Sequence, residues 1–176
     1  MPEALTAFAR EVVLPGGPGA RPRLDPAFCR YRLRAGRSRI HRWGIFAAEA
    51  IPARRRVIEY TGEHIGLREA YRRRIRPLLY LFRTGSRSWV DGAIGGSGAE
   101  YINHSCEPNL VARVRKGRIV LVSLRSIAAS EELLLDYRIV GDIPRVECRC
   151  GAASCRGYLN FPAEPEGDGE PKIHAG

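Results

Sequence analysis

The sequence predicts a mostly β domain built from small sheets with one short central helix, and three observations lead to it. From Tyr31 to Val57 short apolar segments alternate with turn residues, the punctuation of strands rather than of helices. In the middle of the chain only Leu67 to Tyr80 carries apolar residues at helical spacing. Further on, Leu110 to Val114 and Arg118 to Leu124 flank Arg115-Lys116-Gly117, the pattern of a β-hairpin.

Residues 1–29 contain Leu14-Pro15-Gly16-Gly17-Pro18-Gly19, a run of glycine and proline that holds no regular structure, so this stretch reads as a flexible arm. The domain proper covers 30–140, and within it Val57 to Tyr60 is one more short strand. Leu67, Ala70, Tyr71 and Ile75 share the apolar face of the helix, which Pro77 ends or kinks. In the hairpin, Gly117 takes the positive φ that the turn requires. Residues 144–160 form a cysteine-rich segment, and 161–176, mostly acidic and rich in glycine and proline, read as a disordered tail. No internal repeat divides the chain.

A chain of 176 residues with 44% hydrophobic and 27% charged residues has the composition of one globular domain with a modest core. No apolar run approaches the roughly 18 residues of a membrane span. The N-terminus, with Glu3 and no continuous apolar stretch before Pro15, does not read as a secretory signal. Lys and Arg number 29 against 19 Asp and Glu, a net charge of +10. Such a surface attracts polyanions, either nucleic acid or a substrate complexed with it, with Arg54-Arg55-Arg56 and Arg72-Arg73-Arg74 as candidate contacts. Simple solubility is the competing reading. Neither cluster carries enough aromatics for a single-strand stacking platform.

The cysteines hold the most specific chemistry. Cys148, Cys150 and Cys155 are spaced so that one tight loop can present three thiolates to a tetrahedral zinc ion, with Gly151 and Gly157 keeping it supple. Cys106, inside Asn103-His104-Ser105-Cys106, is the candidate fourth ligand. Cys29 then stays unpaired, and an odd thiol count argues for a reducing compartment and against a disulfide framework. Burial as apolar thiols is the alternative; Arg149, Ser154 and Arg156 make the segment too polar for it.

Motifs in order along the chain carry a resemblance. Ser38-Arg39-Ile40-His41-Arg42-Trp43-Gly44-Ile45-Phe46-Ala47 is followed by Val57-Ile58-Glu59-Tyr60-Thr61-Gly62-Glu63, then by Tyr80-Leu81-Phe82 and Val90-Asp91-Gly92-Ala93. Tyr101-Ile102-Asn103-His104-Ser105-Cys106-Glu107-Pro108-Asn109 and Glu131-Glu132-Leu133-Leu134-Leu135-Asp136-Tyr137 come next, and the cysteine-rich tail is last. From about Arg30 to Leu159 the chain resembles SET-domain protein lysine methyltransferases with a post-SET zinc motif. The resemblance implies small β-sheets around a threaded C-terminal segment, with a post-SET zinc loop. It also implies transfer of methyl from S-adenosylmethionine to a lysine of a basic protein such as a histone or a DNA-associated protein, with zinc in a structural role.

By motif position, Tyr137 is the principal catalytic tyrosine and Tyr60 a second one lining the lysine channel. His41, Arg42, Trp43, Gly44, Tyr80, Tyr101, Asn103 and His104 are the implied cofactor contacts, and Cys106, Cys148, Cys150 and Cys155 the zinc ligands. These residue types suit the chemistry. A lysine amine has a pKa near ~10.4 in water, so its neutral form must be held in a water-poor channel. Aromatic walls accept the alkyl stem and stabilise a cationic product, while a phenol hydroxyl orients the amine lone pair. Asp91 and Asp136 read as turn or network carboxylates, because this reaction needs no acid–base pair.

Some positions depart from the family pattern. Arg42 and Ser130 replace glycines, Glu100-Tyr101 replaces Arg-Phe, and Leu135, two before Tyr137, replaces Phe or Tyr. Leucine has no hydroxyl to restrain the amine, so one lysine is expected to take more than one methyl. A SET-like binding module with weak or no catalysis is the alternative, supported by Glu100 and Leu135. A small zinc-containing nucleic-acid binder, supported by charge alone, is the third reading. The minimal, Arg-rich organisation resembles that of bacterial members of the family, so a monomer without membrane contact is expected, acting in the cytoplasm or on the nucleoid; delivery to a host cell would leave no readable signal. Its peptide substrate is expected to bind as an added β-strand.

Overall fold

The computed structural model describes residues 21–74, 76, 80–139 and 145–160. Strands β1 (Leu33–Arg37) and β2 (Trp43–Ala47) pair antiparallel as a ribbon. Next come β3 (Arg56–Tyr60), β4 (Glu63–Gly66), helix α1 (Leu67–Arg73), β5 (Leu81–Arg83) and β6 (Ser88–Asp91). They are followed by β7 (Asn103–His104), β8 (Leu110–Arg115), β9 (Arg118–Ser123) and β10 (Leu134–Leu135). One sheet has the order β4-β6-β5, the other β3-β9-β8-β10-β7.

Period-two burial builds the core. Ile119, Leu121 and Ser123 of β9 are buried while the residues between them are not. With Ile45 and Ala47 from the ribbon, Val57 and Ile58 from β3, Leu110 from β8, and Leu133 ahead of β10, Ile119 and Leu121 form one continuous cluster. Full burial of each large apolar side chain in it contributes about 1.5–3 kcal/mol.

The hairpin forms where its turn residues require it. Arg115 faces Arg118 across a two-residue turn, and Lys116 (φ 50°) shares with Gly117 (φ 76°) the left-handed conformation expected of the glycine alone. Helix α1 is shorter than its apolar spacing suggests: it ends at Arg73 instead of running toward Tyr80. Proline disfavours helical geometry in the residue before it, and Arg73 and Arg76 turn inward to share Asp91 Oδ2, each at 2.7 Å. The buried face of α1 is therefore Ala70 and Arg73, while Tyr71 is 53% exposed beneath the Arg74 guanidinium. Ile75 lies outside the described residues, and Arg73 is part of the interior rather than a polyanion contact.

Of the expected arm, residues 21–29 lie against the core. The Asp25 N–H donates to the Ser97 carbonyl at 2.9 Å, Leu24 packs on the core, and Cys29 bridges to Ile58. The remainder of that arm, with Leu14 to Gly19, and the expected disordered tail 161–176 lie outside the described residues.

Strand β10 lies between β7 and β8, parallel to both, although only Ser105 to Asn109 connects those two strands. The chain leading to Tyr137 therefore passes under that connection. It is tied there by the Ser105 N–H to the Leu135 carbonyl (3.1 Å) and the Asn109 N–H to the Leu134 carbonyl (3.2 Å). This is the threaded segment of the expected fold.

Candidate active site

The thread decides where side chains distant in sequence meet. Asn103, buried in β7, aims its Nδ2 at the Trp43 carbonyl (2.9 Å), Glu132 Oε1 (2.9 Å) and the His41 carbonyl (3.4 Å). The Ser38 hydroxyl donates to Glu132 Oε2 (3.0 Å) and accepts the Ile40 N–H (3.0 Å). Asn103 and Glu132 thus clamp the 38–43 loop onto the thread. Gly44 leaves room for this clamp, because a Cβ there would sit 2.2 Å from Glu132 Oε1 and push that carboxylate aside. Arg42 holds φ 40°, a left-handed conformation that costs a non-glycine residue about 1 kcal/mol. His41 and Arg42 are exposed; Trp43 is half-buried under the Arg37 guanidinium, and its buried Nε1 has no hydrogen-bond partner.

Tyr60 enters from β3 and Tyr137 from the end of the thread. The Tyr60 hydroxyl donates to the Tyr80 carbonyl at 2.6 Å, and its ring lies 5.4 Å from that of Phe82. Gly92 approaches so closely that a Cβ there would stand 2.7 Å from this hydroxyl. The Tyr137 hydroxyl donates to the Ile102 carbonyl at 2.8 Å, and its ring meets His104 edge-on at 5.3 Å. Tyr137 as a whole is 40% exposed, with its hydroxyl turned inward onto the Ile102 carbonyl. Burial raises the pKa of Tyr60 well above the usual phenol value, that of Tyr80 to about 12, and that of Tyr137 also upward. Electrostatic repulsion adds to the effect of burial, from Glu100 and then the Tyr137 phenol for Tyr60, and from the Tyr80 phenol for Tyr137. All three phenols remain protonated at neutral pH. Each donated hydroxyl keeps lone pairs to accept a hydrogen bond.

Asp91 and Asp136 are network carboxylates, as the motif reading held. Fully buried Asp91 takes Arg73, Arg76 and, through Oδ1, the Ala93 N–H at 3.0 Å. Its backbone packs so tightly on Gly62 that a Cβ there would meet the Asp91 carbonyl oxygen at 2.2 Å. Asp136 accepts both arms of the Arg156 guanidinium, at 3.0 and 2.7 Å.

Cys106 Sγ lies 3.8 Å from Cys148 Sγ and 4.0 Å from Cys155 Sγ, and the Cys106 N–H reaches Cys150 Sγ at 3.5 Å. Thiolates bound at about 2.3 Å around a tetrahedral zinc ion stand roughly 3.8 Å apart, so the four-cysteine set fits that metal. His104 is near enough to be grouped with Cys106, Cys148 and Cys150 as a potential ligand. Its ring is otherwise engaged: Nδ1 accepts the Tyr137 N–H at 3.2 Å, which leaves Nε2–H aimed at Cys106 Sγ, 3.4 Å away. A neutral imidazole in that position supports a thiolate from behind. Burial lowers the His104 pKa and favours that neutral form. The tail docks through Glu107 Oε1, which accepts the Ser154 N–H (2.9 Å) and hydroxyl (2.7 Å), and through the Arg156–Asp136 pair.

The side chains of Asn103 and His104, expected beside the cofactor, are thus both engaged with protein partners. Tyr80 and Tyr101 stack at 5.5 Å. Glu100 accepts the Gly98 N–H at 2.8 Å, and burial raises its pKa to about 7. It lines a cavity of about 430 Å³ with Gly92, Gly96 and Tyr101. Leu135 is buried in the core beside His104 and Leu110. Glu132, Glu107 and Phe82 were present in the motifs, but their partners lie too far along the chain for spacing to reveal.

Residues 42–138 match the SET domain family. A histone-lysine N-methyltransferase, H3 lysine-4 specific, of Saccharomyces cerevisiae is 42% identical over 137 residues, 70% of this chain and 13% of that protein. Histone-lysine N-methyltransferase set-2 of Caenorhabditis elegans is 38% identical over 143 residues, 76% of this chain and 10% of that protein. The chain spans only a small part of the length of these curated relatives. KRYPTONITE in complex with mCHG DNA and SAH matches with a TM-score of 0.63 at 30% identity, over 74% of this chain and 29% of that one. An active polycomb repressive complex 2 in the stimulated state gives a TM-score of 0.56 at 35% identity, over 59% and 15%. The threaded β10, the clamped 38–43 loop and the match across 42–138 lead to one conclusion: the chain belongs to the SET-domain family.

Proposed function

We propose that this chain is a protein-lysine N-methyltransferase that moves methyl groups from S-adenosylmethionine to a lysine of a basic protein such as a histone. The observation that carries this reading is the convergence of Tyr60 and Tyr137. The Tyr60 hydroxyl donates to the Tyr80 carbonyl, and the Tyr137 hydroxyl to the carbonyl of Ile102, which lies in the same buried cluster as Tyr60. S-adenosylmethionine, when bound, supplies a methyl on a positively charged sulfur.

The residues present suit that group. Tyr80 and Tyr101 form a ring pair, and the Arg42 charge opposes the rise that burial gives the Tyr80 pKa. Rings can meet an adenine or a sulfonium, and a guanidinium can meet a carboxylate. The Asn103–Glu132 clamp holds this loop in place. On the substrate side, Tyr60, Phe82 and Tyr137 offer aromatic surface to the lysine stem and exclude water. The two hydroxyl oxygens accept hydrogen bonds from the amine and so direct its lone pair. With their pKa values raised, these phenols orient the amine and do not remove its proton.

Zinc on Cys106, Cys148, Cys150 and Cys155 belongs to the same reading, supported by sulfur separations of 3.8 and 4.0 Å from Cys106. It pins the tail beside Tyr137 and takes no part in methyl transfer. Leu135, lacking a hydroxyl two residues before Tyr137, supports successive methylation of one lysine.

Transfer of radiolabelled methyl to core histones and to a crude lysate, with and without Tyr137→Phe, tests this function. The expected result is label in a discrete band, reduced about 100-fold by the substitution, the scale of a misoriented reactant. Equal labelling by both proteins would remove Tyr137 from catalysis. Cofactor binding without any labelling would favour the binding module.

A further inference from the structure

The outer face of the β3-β9-β8 sheet carries arginine. Because Ile119, Leu121 and Ser123 of β9 point into the core, Arg118, Val120 and Val122 point outward. The register sets Arg115 beside Arg118, Arg113 beside Val120 and Val111 beside Val122 on the β8 side. On the β3 side it sets Glu59 beside Val120 and Arg56 beside Val122. Arg30 adjoins β3 through its N–H to the Val57 carbonyl at 2.8 Å. Glu59 is the single carboxylate among these positions, and Arg118, Arg30 and Arg56 together hold its pKa below the usual carboxylate range. Even while paired with Glu59, Arg118 keeps 71% of its side chain exposed. Arg56, Arg113, Arg115 and Lys116 at the hairpin turn are also exposed. Tyr60, on the same strand as Glu59, faces the opposite, core side.

We propose that this sheet face docks double-stranded DNA through its phosphates. Guanidinium forks match phosphate oxygens in pairs, and strands about 4.8 Å apart spread them over a patch roughly 10 Å wide. Duplex DNA offers one negative charge per ~1.7 Å of axis, so such a patch meets several phosphates at once. Along β8 and β9 valines fill the outward positions between the charges, and neither strand carries a ring to stack unpaired bases. The same composition lacks the large apolar side chains that enter a bilayer. With only backbone contacts available, binding is independent of sequence.

The test is anisotropy of a short labelled duplex across a range of salt concentrations. It compares the full chain with Arg113→Gln/Arg115→Gln and with a charge-matched pair on other elements, Arg68→Gln/Arg87→Gln. Thermal midpoints confirm that each variant is folded. Each lost phosphate contact lowers the salt slope by about 0.9, so the first pair should reduce it by about 2 and weaken binding about ten-fold or more at moderate salt. The second pair should leave the slope unchanged. Equal losses in both pairs would reduce the effect to net charge and overturn the proposal. An unaltered slope in the first pair, or tighter binding of a single strand than of the duplex, would overturn it as well.

Discussion

Asp91→Ala tests whether a buried charge network positions Tyr60, the residue proposed to line the lysine channel. Asp91 is fully buried and its Oδ2 receives Arg73 and Arg76, each at 2.7 Å, from side chains only 9% and 8% exposed. Without it, Arg73 keeps Glu69 at 2.6 Å and Glu63 at 2.7 Å. Arg76 loses its carboxylate, and its Nε already lacks a partner. Removing one member of a buried pair costs about 3–5 kcal/mol, and the two remaining partners of Arg73 put this case at the lower end. The Ala93 N–H bond adds about 1 kcal/mol. A total near ~4 kcal/mol is a large share of the about 5–15 kcal/mol that holds a domain folded. At roughly 2–4 °C per kcal/mol for a chain of this size, the melting midpoint falls by about 8–16 °C. Circular dichroism during heating reads this directly. Combining Asp91→Ala with Arg76→Met removes the stranded guanidinium and should recover part of the loss. Methyl transfer should fall too, because the Asp91–Gly92 backbone braces both Gly62 and the Tyr60 hydroxyl. A loss under ~1 kcal/mol, the range of exposed pairs, or a double variant no more stable than Asp91→Ala, would refute the reasoning.

On the proposed zinc site, in which the metal would pin the tail, Cys150→Ser should release zinc and abolish methyl transfer together; elemental analysis with the labelling assay checks both, and full activity in metal-free protein contradicts the linkage. Glu100, raised from 4.5 to about 7 by burial, contributes stability in its protonated form, fully present below about 4.5 and lost as pH rises through about 7. Glu100→Gln should therefore melt above the parent at about pH 8 and lack that decline; superimposable pH–melting curves count against the buried-carboxylate reading. Leu135→Tyr should shift products toward monomethyl-lysine by returning a hydroxyl to that position. Mass spectrometry at exhaustive turnover reads the outcome, and a parent that itself stops at one methyl defeats the argument.

The hairpin, the cysteine loop and the motifs could be read along the chain because each depends on residues a few positions apart. A turn with Lys116-Gly117 needs only its own φ values, and three thiols within one loop need only that loop. The end of α1 was not legible in this way. Helical spacing continues past Arg73, but Asp91, 18 residues further on, draws that arginine inward and makes a charged residue part of the buried face.

By itself, the sequence determined the mostly β class, the metal-suited loop and which residue types stand ready for lysine chemistry. Only the tertiary structure decided their partners: that Asn103 and Glu132 clamp a loop 60 residues upstream of Asn103, that His104 supports Cys106, and that arginines from separate strands share one outer face. The physical reason is the thread. Placing β10 between β7 and β8 brings together segments with no local signal for each other, and such contacts gain free energy only after the whole sheet has closed.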